Sequence, residues 1–252
     1  MDTESITYLG VNIKSRDSQI CFAALDHEVR LIALSVGSMQ DVMAYIAGQK
    51  CAVIGINGPS HINLGLAKER INSKKLDENP DSITTNNMRL CELELLLRGY
   101  SPVLTPSTIT KCPKWVRSSF SLFRYCERLG YEIYNNSDKD KLLYEVNSEV
   151  NFGFFSNSNL LDKTLLESRL QRQLILYEMG LDIPDPMNYY EELTRHRLIK
   201  GILPLEDIYT IEELNAMAAA FSVFLISKDP LQAEWLGDPQ EGQIAIPPGR
   251  IK

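Results

Sequence analysis

The order of apolar runs in the first 57 residues limits the fold more than any other feature of the sequence. Residues 6–13 (ITYLGVNI) are mostly apolar, rich in β-branched side chains and followed by charge, as a buried strand requires. Residues 20–25 (ICFAAL) repeat that character. Asp26-His27-Glu28 then makes a connection of hairpin length to a third run, residues 29–34 (VRLIAL). Met39, Val42, Met43 and Ile46 fall at i, i+3, i+4 and i+7, one face of a helix that Ser38 can cap. Residues 51–56 (CAVIGI) are wholly apolar, as in a strand buried on both faces. Three consecutive strands can pair as an antiparallel meander. The helix then carries the chain over to lay the fourth strand parallel to the first. An α/β layered domain is expected.

The remainder of the chain adds helices and a few strands. Residues 58–85 are polar and loop-like, with Gly, Pro, Asn and Ser recurring. Helices are expected over 88–97, stopped by Gly99, and over 113–129, opened by a proline and closed by Gly130. Further helices fall at 165–179, before Gly180, at 189–199 and at 211–226, where Ile211, Leu214, Ala218, Phe221 and Leu225 form one stripe. Residues 131–134, 142–146 and 242–246 read as strands. With no internal repeat or long linker, residues 1–252 are expected to form a single domain with helical insertions around 86–130 and 160–200.

Composition narrows the function classes. Of 252 residues, 26 are Lys or Arg and 33 Asp or Glu, a net charge of -7. A protein whose whole surface coats nucleic acid is excluded by that balance, although a local basic patch is not. Five cysteines without a C-x-x-C pair suit reduced thiols in a cytoplasm, not a disulfide framework or zinc site. No apolar run reaches the ~18 residues of a membrane span, and Met1-Asp2-Thr3-Glu4 lacks the start of a signal peptide. A cytoplasmic protein with no membrane partner is expected.

Three asparagines occupy positions where the pattern calls for apolar residues. Asn12 lies in the first strand, Asn57 closes the fourth, and Asn215 sits on the late helix beside its stripe. If the first and fourth strands are parallel neighbours, Asn12 and Asn57 approach each other at the strand ends where α/β sheets build their sites. Taken singly, each has a plainer reading: a turn at Asn57-Gly58, a strand end at Asn12, a satisfied helix-flank residue at Asn215.

With these residues in view, the chain resembles an RNase H-like family known mostly as predicted nucleases. Gly10-Val11-Asn12, Ile56-Asn57-Gly58-Pro59 and Glu213-Leu214-Asn215-Ala216 are similar to its three core motifs. The likeness continues through Arg89 and Glu92, Tyr144-Glu145-Val146, Ser168-Arg169 with Arg172, and residues 241–247 (EGQIAIP). It implies an α/β fold with an RNase H-like mixed sheet, five-stranded at its core and flanked by helices, with Asn12, Asn57, Asn215 and Glu145 at the catalytic positions. Arg89, Glu92, Arg169 and Arg172 become substrate-binding residues. In the family the three motif positions are aspartates, and a two-metal nuclease holds its ions between such carboxylates. Asparagine offers a neutral carbonyl where Mg²⁺ needs charged oxygen, so no metal is expected.

A nuclease-inactive binding or regulatory module for nucleic acid or protein is the first expectation, whether the asparagines are natural or deliberately introduced. An active Mg²⁺- or Mn²⁺-dependent nuclease would need Glu145 with other carboxylates such as Glu92 or Glu149. A sugar-kinase-like ATPase ranks last, because Asp26-His27-Glu28 is not a phosphate-binding hairpin.

Residues 111–128 interleave cations with rings, as single-stranded nucleic acid binding does, and assign Lys114, Trp115, Arg117, Arg124 and Arg128 to a nucleic-acid surface. The alternative is an amphipathic helix with core aromatics and solvated charges. Arg169 and Arg172 share a helix face and could bind one anion, while Arg89 and Glu92 could simply pair. His61, next to Pro59, is the one histidine near the presumed site. Residues 229–241, acidic and without a cation, are expected to be a solvated loop.

Overall fold

A computed structural model describes residues 6–13, 19–74, 87–133 and 140–249. Met1-Asp2-Thr3-Glu4, the end of the polar stretch at 75–85 and Tyr134 lie outside the described residues. Strands β1 (Thr7–Ile13), β2 (Ile20–Leu25) and β3 (Leu31–Gly37) form the antiparallel meander. Val29 adopts a left-handed φ of 65° in the hairpin, which delays the start of β3 beyond the sequence reading. Helix α1 (Met39–Ala47) follows, capped by Ser38 in a reciprocal pair with Asp41. It returns the chain to β4 (Ala52–Asn57), parallel to β1 with Asn12 opposite Asn57.

Beyond β4 the sheet grows by β6 (Lys141–Val146), parallel to β4, and by the hairpin of β8 (Gly242–Ile246) with β7 (Glu234–Asp238). The short β5 (Glu132–Ile133) pairs with the start of β6. The result is an eight-stranded mixed sheet in the order β3-β2-β1-β4-β6-β8-β7, with β5 beside β6.

Helices cover both faces. On one side, Val42 and Ile46 of α1 with Leu122, Phe123 and Cys126 of α4 (Lys114–Arg128) pack on Leu9, Val11, Phe22, Ile54 and Ile56. On the other, α5 (Ser148–Ser156), α6 (Leu166–Glu178) and α9 (Ile211–Lys228) enclose Tyr8, Ala23, Val53 and Tyr144. Helix α9 is buried almost all round from Leu214 to Phe224, so the single stripe read from sequence understates it.

Two glycines set its height above the sheet. A Cβ at Gly10 would come 2.0 Å from the Ala216 carbonyl oxygen and 2.2 Å from the Ala220 amide nitrogen. A Cβ at Gly55, the register partner of Gly10, would lie 2.9 Å from the Ala219 carbonyl oxygen. Glycine in both strands and alanine in the helix let backbone meet backbone.

Some expected elements differ. The stretch 58–85 contains α2 (Leu66–Lys74), whose weakly apolar sequence LAKERINSK hides a helix held mainly from outside. Helix α3 (Leu90–Leu97) begins two residues later than expected. The stretch 189–199 is two short helices, α7 (Asn188–Glu192) and α8 (Arg195–Ile199), because Leu193 is extended and Thr194 caps a new start. Helix α5 went unread, having a glycine at 153 and no clear stripe. Residues 229–241 are not simply a solvated loop: they include β7 and a fully buried Glu241. Among the described residues no helix is long and apolar enough to cross a membrane.

Candidate functional site

The parallel strands β1, β4 and β6 end together, and a cleft of about 340 Å³ opens there. Asn12, Asn57 and Asn215 all line it, with Trp115 of α4 on its wall. The height of α9 brings Asn215 there, and the register of β1 with β4 sets Asn12 beside Asn57.

The carboxamides form a directed chain. The Ser148 amide donates to Asn57 Oδ1 at 3.2 Å, Asn57 Nδ2 donates to Asn12 Oδ1 at 2.7 Å, and Asn12 Nδ2 donates to the Glu212 carbonyl at 3.4 Å. The Ser148 hydroxyl donates to the Asn215 carbonyl at 2.7 Å, tying α5 to α9. A carboxylate at position 57 could accept but not donate, so this chain requires a carboxamide there. Asn215 Oδ1 is buried without a hydrogen-bond partner among the described residues, and Asn215 lines the same cleft.

Glu145 of β6 lines the same cleft, as do Arg89, Glu92 and Glu149, but its carboxylate belongs to a second network. Both its oxygens take the Arg89 guanidinium, at 2.9 and 2.5 Å, and it accepts from the Ser60 amide at 2.7 Å. Arg89 Nε donates to Glu92 at 2.9 Å, and Glu92 also accepts from the Thr105 amide and hydroxyl at 2.9 and 2.5 Å. All four side chains are buried. Burial opposes the charge on Arg89, yet Glu145, with Cys91 and Glu92, pushes the guanidinium well above its ordinary pKa. The two acids that sequence reading offered as catalytic or substrate-binding are thereby held by one cation. Gly242 borders this network with φ 94°, and a Cβ there would lie 3.2 Å from Glu145 Oε2.

Glu241 is the residue that sequence reasoning missed. Its carboxylate accepts from the amides of Leu64, Gly65 and Leu90 at 2.5, 3.1 and 2.6 Å, joining the N-termini of α2 and α3. Free N–H groups and the positive helix ends explain why a full charge is stable in a dry place. The signal available was Glu241-Gly242 at a strand start, a local pattern too short to disclose partners from two other helices.

The arginines of α6 diverge. Arg169 donates to the carbonyls of Tyr209, at 2.7 Å, and Ile208. Arg172 is fully buried, bonded to Glu149 at 2.7 Å and to Ser168 Oγ. Lys163 Nζ lies 3.2 Å from the other Glu149 oxygen. They do not converge on one anion.

Along α4, Phe120 and Phe123 are core residues, while Lys114, Arg117, Arg124 and Arg128 are exposed and Trp115 is half-buried beside the cleft. His61 Nδ1 lies 2.9 Å from Ser60 Oγ, and both line a second pocket with Arg124 and Glu127.

A two-metal centre needs clustered anionic oxygens. Here three neutral carboxamides meet at the strand ends, and Glu92, Glu145 and Glu149, carboxylates that share the cleft, are each paired with arginine, so the donor set does not fit such a centre. Among the described residues no group of three or more His, Cys, Asp or Glu side chains is arranged to hold a metal ion. No protein-family model matches the chain, and no curated protein matches it.

Proposed function

We propose that the chain is an RNase H-like member of a predicted-nuclease family whose metal site has been rebuilt from carboxamides. It then acts as a metal-independent module that binds nucleic acid or a regulatory protein partner. The sheet order β3-β2-β1-β4-β6 with its helical crossover supports the fold assignment. The observation that carries the functional reading is the 2.7 Å bond from Asn57 Nδ2 to Asn12 Oδ1. It replaces a bridging cation with a shared proton donor. The exposed cations of α4, which share one face of that helix, favour nucleic acid over protein, although of α4 it is Trp115 that lines the cleft. The enzyme alternative lacks support, since Glu145, Glu92 and Glu149 are all held by arginine.

Fluorescence anisotropy with single-stranded DNA and RNA tests this reading. Binding should survive EDTA. Arg117→Ala/Arg124→Ala should weaken it and lower the salt slope by roughly 1.4, two contacts at about 0.7 each. In parallel, nuclease assays with Mn²⁺ compare the chain with Asn12→Asp/Asn57→Asp/Asn215→Asp. Cleavage only after the triple substitution is expected. Cleavage by the unsubstituted chain, or micromolar Mn²⁺ binding in its cleft, would refute the reading.

A further inference from the structure

Four surface arginines of this chain each have an acidic partner. Arg30 is held by Asp26 and Glu28, Arg70 by Glu94, Arg98 by Glu234 and Arg197 by Glu192. Helix α4 departs from that habit. Lys114, Arg117, Arg124 and Arg128 lie at i, i+3, i+10 and i+14, all exposed on one stripe about 21 Å long. Among the described residues none of the four forms an ion pair, and Glu127, the one acid on α4, pairs with none of them. In a chain with more carboxylates than cations, a row of cations left unpaired keeps its charge for a ligand.

One edge of this stripe opens into the second pocket, which Arg124 shares with it. The pocket has a volume of about 300 Å³, at the small end for ligand sites. Ile62, Ile109, Phe120 and Phe123 give it apolar walls, and His61, Arg124 and Glu127 bring polar groups to it. Its shape is fixed from behind. Phe120 and Phe123 are core side chains, and the Ser60 amide is bonded to Glu145 in the buried arginine network. His61 Nδ1 lies 2.9 Å from Ser60 Oγ, which leaves Nε2 for another partner. The pocket therefore presents a guanidinium and a carboxylate that do not neutralise each other.

That combination selects the ligand. A site for phosphate alone would not set Glu127 beside Arg124, because a carboxylate repels the anion. A nucleotide suits both, with a phosphate for Arg124, a flat body for the apolar walls and N–H donors for Glu127. Among the bases of nucleic acid, guanine carries a ring N–H and an exocyclic amine side by side, so one carboxylate accepts from both at once. We propose that this pocket takes a guanine base of a single strand whose phosphates follow the α4 stripe. The guanine N1–H and N2 amine meet Glu127, and Arg124 holds the flanking phosphate. This rests on the nucleic-acid reading proposed above and adds to it a base-specific contact away from the asparagine cleft.

Fluorescence anisotropy with short oligo-thymidylate strands tests it, the central position being guanine, adenine or an abasic site. The guanine strand should bind about tenfold tighter than the other two, as a good two-bond base contact provides. Glu127→Gln should remove most of the difference between guanine and adenine, because a carboxamide accepts through only one atom. Arg117→Ala, in contrast, should weaken all three strands alike. Ile109→Trp, which fills the pocket from a half-exposed position, should cost the guanine strand its advantage. Glu127 is exposed too, and an unchanged circular dichroism spectrum and Tm verify the fold of each variant. Strands that bind and respond to Arg117→Ala without discriminating the central base would overturn the pocket and leave the nucleic-acid reading standing. No binding of any strand at low salt would overturn both. A guanine preference that survives Glu127→Gln and Ile109→Trp would overturn this pocket as its seat.

Discussion

At the scale of single residues, the arrangement turns on which groups can donate a proton. Asn57 accepts from Ser148 and donates to Asn12, two roles that only a carboxamide fills at once. A few ångströms away the opposite chemistry holds, and Arg89 donates to two buried carboxylates. Removing one partner of a buried pair leaves uncompensated charge, so Arg89→Met should destabilise the chain by roughly 3–5 kcal/mol. Urea denaturation reads this directly. Adding Glu145→Leu should recover part of the loss, because an apolar replacement of both partners leaves fewer buried charges unpaired. A loss below about 1 kcal/mol would mean that water reaches the network, in contradiction to its burial.

At the scale of elements, α9 decides where the site lies. Its start is fixed by Thr210 and Glu213, which cap each other at 3.3 and 2.7 Å. Its height is fixed by the contacts of Ala216, Ala219 and Ala220 with Gly10 and Gly55. Gly10→Ala drives a methyl group into helix backbone that has no side chain to move aside. A cost above ~3 kcal/mol is expected, the upper range for overpacking. The same shift would lift Asn215 away from Asn12, so nucleic acid binding should weaken in any folded fraction. Normal stability in this variant, measured by its denaturation midpoint, would mean that α9 does not sit on β1 as described.

At the scale of the whole molecule, buried acids set the response to base. Burial pushes the Cys21 thiol up to about 12, aided by Glu213 and Glu212; burial and Glu127 do the same to Cys126. Tyr131 is also raised to about 12, by burial and then by Cys126 and Cys51. In the folded chain these groups keep protons that the unfolded chain gives up, so their stabilisation is complete below the ordinary thiol pKa of ~8.5 and declines above it. The urea midpoint should therefore fall as pH rises from there towards 12, and the buried thiols should react with disulfide reagents only after unfolding. Free titration of Cys21 near ~8.5 in the native chain would contradict this.

Local pattern carried much of the fold. The alternation and apolar runs of residues 6–57 specify the meander, the Ser38-capped helix and the return strand, because strand and helix periods are properties of neighbouring residues. The same order made Asn12 and Asn57 neighbours in advance. Less was legible where stability comes from outside the segment. Helix α2 lacks an apolar stripe, and its N-terminus is held by Glu241, far along the chain. Tyr189–Ile199 looked like one helix because a break at Leu193 depends on φ and ψ, not on composition.

The sequence by itself determined the α/β order and the neutral charge of the three asparagines, since each depends on residue identity and short-range spacing. Only the tertiary structure decided that Glu145 belongs to Arg89, that Arg169 and Arg172 part company and that Glu241 joins two helices. Those outcomes depend on the direction of side chains in a low-dielectric interior. There each buried charge must find a partner, and the partner comes from whichever distant segment the packing brings within hydrogen-bond reach.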